Sequence, residues 1–161
     1  NGRKDPYLYS VKAELVENGE VIITGLADKT MTAVIIPETI EGMPVVAIGT
    51  NAFLRCTALQ TVELPASLKT IGTGAFYGCT ALTDIALPNS LTVIPESAFT
   101  SCTAMTAVTL GNAVTSIGKN AFDNCTSLRE IDLNGFDTKN VKSLWWLLSM
   151  VLPQGRAAFL L

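Results

Sequence analysis

The sequence predicts a β-rich solenoid, in which short parallel strands stack coil upon coil and are joined by 3₁₀-like or irregular turns. Three observations lead there. Phe53, Phe76, Phe99 and Phe122 recur every 23 residues, and Cys56, Cys79, Cys102 and Cys125 keep the same interval. Within each interval a four-residue stretch alternates apolar and polar residues: "TVEL", "DIAL", "AVTL", "EIDL". Hydrophobic content of 48% with only 16% charge is too apolar for a disordered chain. A fixed period of this length marks stacked units that contact only their neighbours, not one closed core.

Three further columns share the interval without slippage: Ile48, Ile71, Ile94, Ile117; Leu64, Leu87, Leu110, Leu133; and Ala52, Ala75, Ala98, Ala121. An earlier copy starts at Val34, Ile36, Pro37 and Ile40, but Ile36 precedes Leu64 by 28. The surplus falls around Glu41-Gly42-Met43-Pro44, which predicts a loop tipped outward.

Each unit reads in three parts. The alternating stretch is a half-buried strand. Pro65, Pro88 and Gly111 end three of these strands, because neither residue type sustains a ladder well. "SLKTIG", "SLTVIP" and "AVTSIG" form a second short extended piece. "NAFLRCTAL", "GAFYGCTAL", "SAFTSCTAM" and "NAFDNCTSL" then turn the chain, with apolar residues at i, i+3 and i+6, as a tight 3₁₀-like turn requires. One coil cannot bury its own Leu, Ile and Phe. Stacking at the ~4.8 Å strand spacing lets each Phe lie on the Phe of the next coil.

A solenoid has two open ends, and each needs a cover. At the front, Asn18-Gly19 between two alternating runs predicts a capping hairpin over Tyr7–Val16 and Glu20–Leu26. At the back, "LWWLLSMVL" (Leu144–Leu152) is nearly all apolar and too short to span a bilayer. It reads as a helical cap on the last coil, or as a patch for self-association or for a neighbouring domain. The expected organisation is therefore a capping hairpin over 1–31, about four and a half repeats over 32–135, and a cap or variant repeat over 136–161, all within one structural domain.

The unit L-x-x-I-x-x-x-A-F-x-x-C-x-x-L-x-x-[VI]-x-L-P resembles the BspA-type leucine-rich repeat of bacterial and some protist surface proteins, over about Val34 to Leu133. Asn1–Met31 resembles the lead-in segment of such proteins. "FDTKNV" (Phe136–Val141) resembles the start of a variant repeat, from which the following residues depart. The resemblance implies a leucine-rich-repeat solenoid of the right-handed superhelix class, placed outside the cell or on its surface and used in adhesion.

The candidate chemistry is sparse. The chain has no histidine, which removes the commonest general base and metal ligand. The four cysteines share one column and should form a ladder of buried free thiols acting as small hydrophobes, with no disulfide expected. A row ~15 Å long cannot supply the tetrahedron of a zinc site. Gly72, Gly74 and Gly78 lack the spacing and the basic residue of a phosphate loop and read as repeat turn. Asn124-Cys125-Thr126 is formally a glycosylation acceptor, but Cys125 is predicted inside. No metal, cofactor or catalytic residue is assigned.

Outward strand positions are Thr61 and Glu63, Asp84 and Ala86, Ala107 and Thr109, and Glu130 and Asp132. Stacked, they form one mildly acidic face. Paired carboxylates at roughly 5 or 6.5–9.5 Å could hydrolyse glycosides. That chemistry also wants a cleft, a raised pKa and aromatic platforms, and Thr and Ala flank these carboxylates instead. The face reads as solvated surface or as a binding site for a protein or glycan, host or extracellular matrix included. A net charge of −3 argues against nucleic acid and anionic membranes. Asn1–Pro6 is polar and no apolar signal region follows it, so an export signal is expected outside this chain. Two functions stay open: a non-enzymatic adhesion module at the cell surface, and a structural spacer within a larger surface protein.

Overall fold

The computed structural model describes residues 10–132 and the backbone of one further strand, Ala158–Leu160. The helix expected over Leu144–Leu152, and with it the proposed self-association patch, lies outside the described residues.

The chain opens with an antiparallel hairpin, β1 (Val11–Leu15) and β2 (Val21–Leu26). Gly19 takes φ +80° at its tip, where L side chains are rarely found. β2 then pairs in parallel with β5 (Met43–Ile48), so the hairpin lies along the first coil.

Each coil contributes two short strands to two ladders. The first ladder holds β3 (Ala33–Ile35) and β6 (Thr61–Glu63), then β8 (Asp84–Ala86), β10 (Ala107–Thr109) and β12 (Glu130–Asp132). A last strand, β13 (Ala158–Leu160), adds to β12 in parallel, with Glu130 opposite Ala158. The second ladder holds β2, β5 and β7 (Thr70–Ile71), then β9 (Val93–Ile94) and β11 (Ser116–Ile117). Registers match like with like: Ile85 opposite Val108 opposite Ile131, and Ile94 opposite Ile117. A period-2 pleat sends these residues inward and their neighbours outward.

The five surplus residues of the first repeat form a small hairpin instead of a plain loop. β4 (Thr39–Ile40) pairs antiparallel with the start of β5, so Met43 and Pro44 are strand residues. Only Glu41 (φ 52°) and Gly42 (φ 79°) make the turn.

The turns explain the i, i+3, i+6 apolar pattern. Cys56 N–H donates to Phe53 O and Leu59 N–H to Cys56 O, each three residues back, and later coils repeat the pair. The run never becomes a continuous helix, because two positions per coil are left-handed. One column is Asn51, Gly74, Ser97, Asn120; the other is Arg55, Gly78, Ser101, Asn124, with φ between 54° and 72°. At these positions the backbone N–H turns outward to the next coil: Asn51 to Thr73 O, Gly74 to Glu96 O, Arg55 to Tyr77 O, Gly78 to Thr100 O. A backbone conformation that interrupts the helix thereby supplies the bonds that join coils.

The core is one stack. The four phenylalanines are fully buried, with ring centroids 5.2, 5.3 and 5.5 Å apart and interplanar angles of 23°, 7° and 7°. Offset stacking of this kind adds roughly 0.5–1.5 kcal/mol per pair beyond burial.

Candidate functional site

The inner and outer faces of the first ladder have opposite chemistry. Val34, Val62, Ile85, Val108 and Ile131 point into the core. Thr61, Glu63, Asp84, Ala86, Thr109 and Glu130 are exposed, and Ala107 and Asp132 are half-buried. The alternation that buries one set therefore places all eight anticipated positions on the opposite side of the strands. Sequence reasoning missed the first rung of the same face, exposed Ala33 and Ile35, with Ile35 at 51% exposure. The signal was present in "AVII", where Val34 and Ile36 are the inward pair.

The ladder is not continuous. β3 pairs with β6, and β8 with β10, β12 and β13, but no pairing joins β6 to β8. Where the ladder is intact, the residue after each strand bonds the next coil: Ile36 N–H to Glu63 O at 2.9 Å, Leu87 N–H to Thr109 O at 2.9 Å, and Leu110 N–H to Asp132 O at 3.1 Å. Among the described residues no such bond runs from Leu64 N–H to Ala86 O. Leu64 is correspondingly half-buried, whereas Ile36, Leu87 and Leu110 are buried.

The second ladder opens at the same coil boundary, between β7 and β9. Gly72 N–H donates to Ile48 O and Gly118 N–H to Ile94 O, but the equivalent position in the third coil is Pro95, which has no N–H. The two coils stay joined through their turns, by Phe76 N–H to Ala98 O at 2.8 Å, and by the Ser90 hydroxyl to Leu68 O.

On the strand face this seam opens into a depression of about 430 Å³ lined by β3, β6 and β8. Ile35 and Leu64 supply its apolar part, and Glu63 and Asp84 its charge. Asp84 Oδ1 accepts a 3.0 Å bond from the Thr83 hydroxyl, which holds that carboxylate in place.

The cysteine column is buried and free of disulfides. Each of three thiols donates to the carbonyl of a phenylalanine in the preceding coil: Cys79 to Phe53 at 3.1 Å, Cys102 to Phe76 at 3.2 Å, Cys125 to Phe99 at 3.0 Å. Burial pushes Cys79 and Cys125 up to about 12, and pushes Cys102 and Cys56 upward too. Only a thiolate attacks or ligates well, so these sulfurs are structural donors. Asn124 is exposed, with its amide nitrogen 3.2 Å from the Ser101 hydroxyl. Gly74 and Gly78 occupy the left-handed columns of the turn. Among the described residues no group of acidic or thiol side chains is placed to hold a metal, and no helix is long and apolar enough to cross a membrane.

Known proteins match this architecture. A family model described as the BspA type leucine rich repeat region matches residues 26–144 in 6 copies. No curated protein matches the sequence. A leucine-rich repeat protein of T. pallidum is 32% identical with a TM-score of 0.65, the match covering 81% of this chain and 72% of that one. A leucine-rich repeat protein of Bacteroides capillosus is 29% identical with a TM-score of 0.68, covering 76% of this chain and 93% of that one. A leucine rich cell surface protein of Faecalibacterium prausnitzii shares the fold at 24% identity and a TM-score of 0.65, covering 88% of this chain but 42% of its own length. With six repeat copies recognised and the coils stacked as those copies require, the chain belongs to the BspA-type leucine-rich repeat family.

Proposed function

We propose that the chain is a non-enzymatic binding module of the cell surface that holds a protein or glycan on its outward strand face. The observation that carries this reading is the face itself. Thr61, Glu63, Asp84, Ala86, Ala107, Thr109, Glu130 and Asp132 stand on the outward side of the successive strands β6, β8, β10 and β12, with a depression of about 430 Å³ at one end. A rigid scaffold presenting a concave surface is where repeat proteins bind. The surface location is supported by the family and by the F. prausnitzii relative, which is described as a cell surface protein. In this reading residues 1–31 cap the front, 32–135 carry the repeats and 136–161 close or extend the stack.

The test is a binding screen of the chain against extracellular-matrix proteins and glycans, repeated with Glu63, Asp84, Glu130 and Asp132 all replaced by serine. Glu63, Asp84 and Glu130 are exposed and Asp132 is half-buried on the same face, so the variant should fold nearly unchanged, as its circular dichroism would check. A ligand retained in full by the variant would place binding elsewhere.

A spacer reading is favoured by the modest chemistry of the same face, where Ala86, Ala107 and Thr109 supply no aromatic anchor of the kind that dominates interface energetics. A screen that returns no ligand supports it.

A further inference from the structure

We infer that the seam between β6 and β8 is a pocket for a lysine or arginine side chain on an extended segment of a partner protein. This inference rests on the binding reading above and specifies one part of the face. The physical basis is a local departure from the repeat. Rungs built from nearly identical sequence pair strand to strand everywhere else in this ladder; here the strands do not pair, and only a long 3.3 Å bond from Thr83 N–H to Gln60 O crosses just before them. The opening leaves Leu64 half-buried where its three counterparts are buried. It also leaves the Leu64 N–H without the bond to Ala86 O that the repeat would make.

A basic side chain fits this site by its two ends. Lys and Arg carry a long apolar stem and a charged head, and they bury the stem along apolar surface while the head stays polar. Ile35, Leu64, Ala33 and Ala86 offer the apolar wall. Glu63 and Asp84, on adjacent rungs, offer two carboxylates for the head, and among the described residues no cationic one lines the depression. A guanidinium or ammonium there forms charge-assisted bonds. An acidic or purely apolar ligand would leave the two carboxylates unpaired. The exposed strand positions beyond the depression then accommodate the flanking backbone in extended form.

The experiment uses the full chain, ¹⁵N-labelled, titrated by NMR with acetyl-Gly-Arg-Gly-amide and with its norleucine and glutamate counterparts. The expected result is amide shifts centred on Ile35, Glu63, Leu64, Asp84 and Ala86 with the arginine peptide. Those shifts should weaken in salt of about 1 M, where the screening length is ~3 Å. Glu63→Gln with Asp84→Asn should weaken binding about threefold to tenfold, while Glu14→Gln with Glu17→Gln, exposed on the N-terminal hairpin away from this face, leaves it unchanged. Equal shifts from the norleucine peptide, or no localised shifts, would overturn the pocket. A neutral disaccharide that shifts the same amides instead would overturn it in favour of a glycan. Any matrix ligand found in the screen separates the two levels. If it is lost in the four-serine variant but kept by Glu63→Gln with Asp84→Asn, face binding stands and the basic pocket fails.

Discussion

The Cys102 thiol donates a 3.2 Å hydrogen bond to the carbonyl oxygen of Phe76, a residue 26 positions earlier in the chain and one coil away in space. The bond uses a carbonyl beside a stacked ring, so the sulfur column and the ring column support one another. Burial of the thiol is what holds it protonated.

The first prediction concerns alkaline stability. The ordinary thiol value is 9.0, and burial raises Cys79 and Cys125 to about 12 and Cys102 upward as well. The unfolded chain releases these protons near pH 9 while the folded chain keeps them. From pH 9 up to the folded values the unfolded state therefore binds fewer protons, and stability falls as pH rises. Each thiol contributes a slope of about 1.4 kcal/mol per pH unit in that window and none below it. Denaturant melts from pH 7 to 11 should show the break, and Cys102→Ala should reduce the slope by one thiol's share. A thiol reagent at neutral pH should label these three cysteines only after denaturation.

The second prediction concerns the ring stack. Phe76 and Phe99 each face two rings, whereas Phe53 faces one among the described residues. Phe76→Ala or Phe99→Ala should cost ~3–5 kcal/mol in chemical unfolding. Phe53→Ala should cost less by about 0.5–1.5 kcal/mol, the value of one ring pair. Equal and small losses at all three would contradict a stacked interior.

The third prediction concerns the left-handed columns. Ser97 sits at φ 55° where other coils place Gly74, Asn51 or Asn120. A side chain in this region costs roughly 1–2 kcal/mol, and glycine gives back part of that as chain entropy. Ser97→Gly should stabilise the protein by about 0.5–1 kcal/mol. Gly74→Ala should destabilise it, since the alanine must keep φ at +65° and its Cβ presses on the Asn51 side chain. Thermal melts of the two variants should move in opposite directions.

A fourth prediction addresses the seam directly. Leu87 and Leu110 amides are bonded to the next coil, and Leu64 lacks the corresponding bond. In native-state hydrogen exchange the Leu64 amide should exchange at least about tenfold faster than the other two, because its release needs no opening of a ladder. Equal protection at all three would show the seam to be closed in solution.

Much of the architecture could be read from spacing. Five columns at one interval determine which residues share a rung, and period-2 alternation determines which of them face inward, so the Phe stack and the outward face from Thr61 to Asp132 follow without coordinates. Neither depends on more than one coil repeating the last. The hairpin at Asn18-Gly19 was legible for the same reason, being a local signal with a local cause. Three features depended on tertiary structure. The two left-handed positions per turn are masked in sequence, because Arg55, Ser97 and Ser101 occupy them as well as Gly and Asn. The thiol bonds require the distance between one coil's sulfur and another coil's carbonyl. The seam is the clearest case: Pro95 announces a missing donor in the second ladder, but nothing in "TVEL" or "DIAL" forbids β6 from pairing with β8. Whether two adjacent coils close their ladder depends on how their turns and strands are seated together. That balance exists only between coils, so no single repeat encodes it.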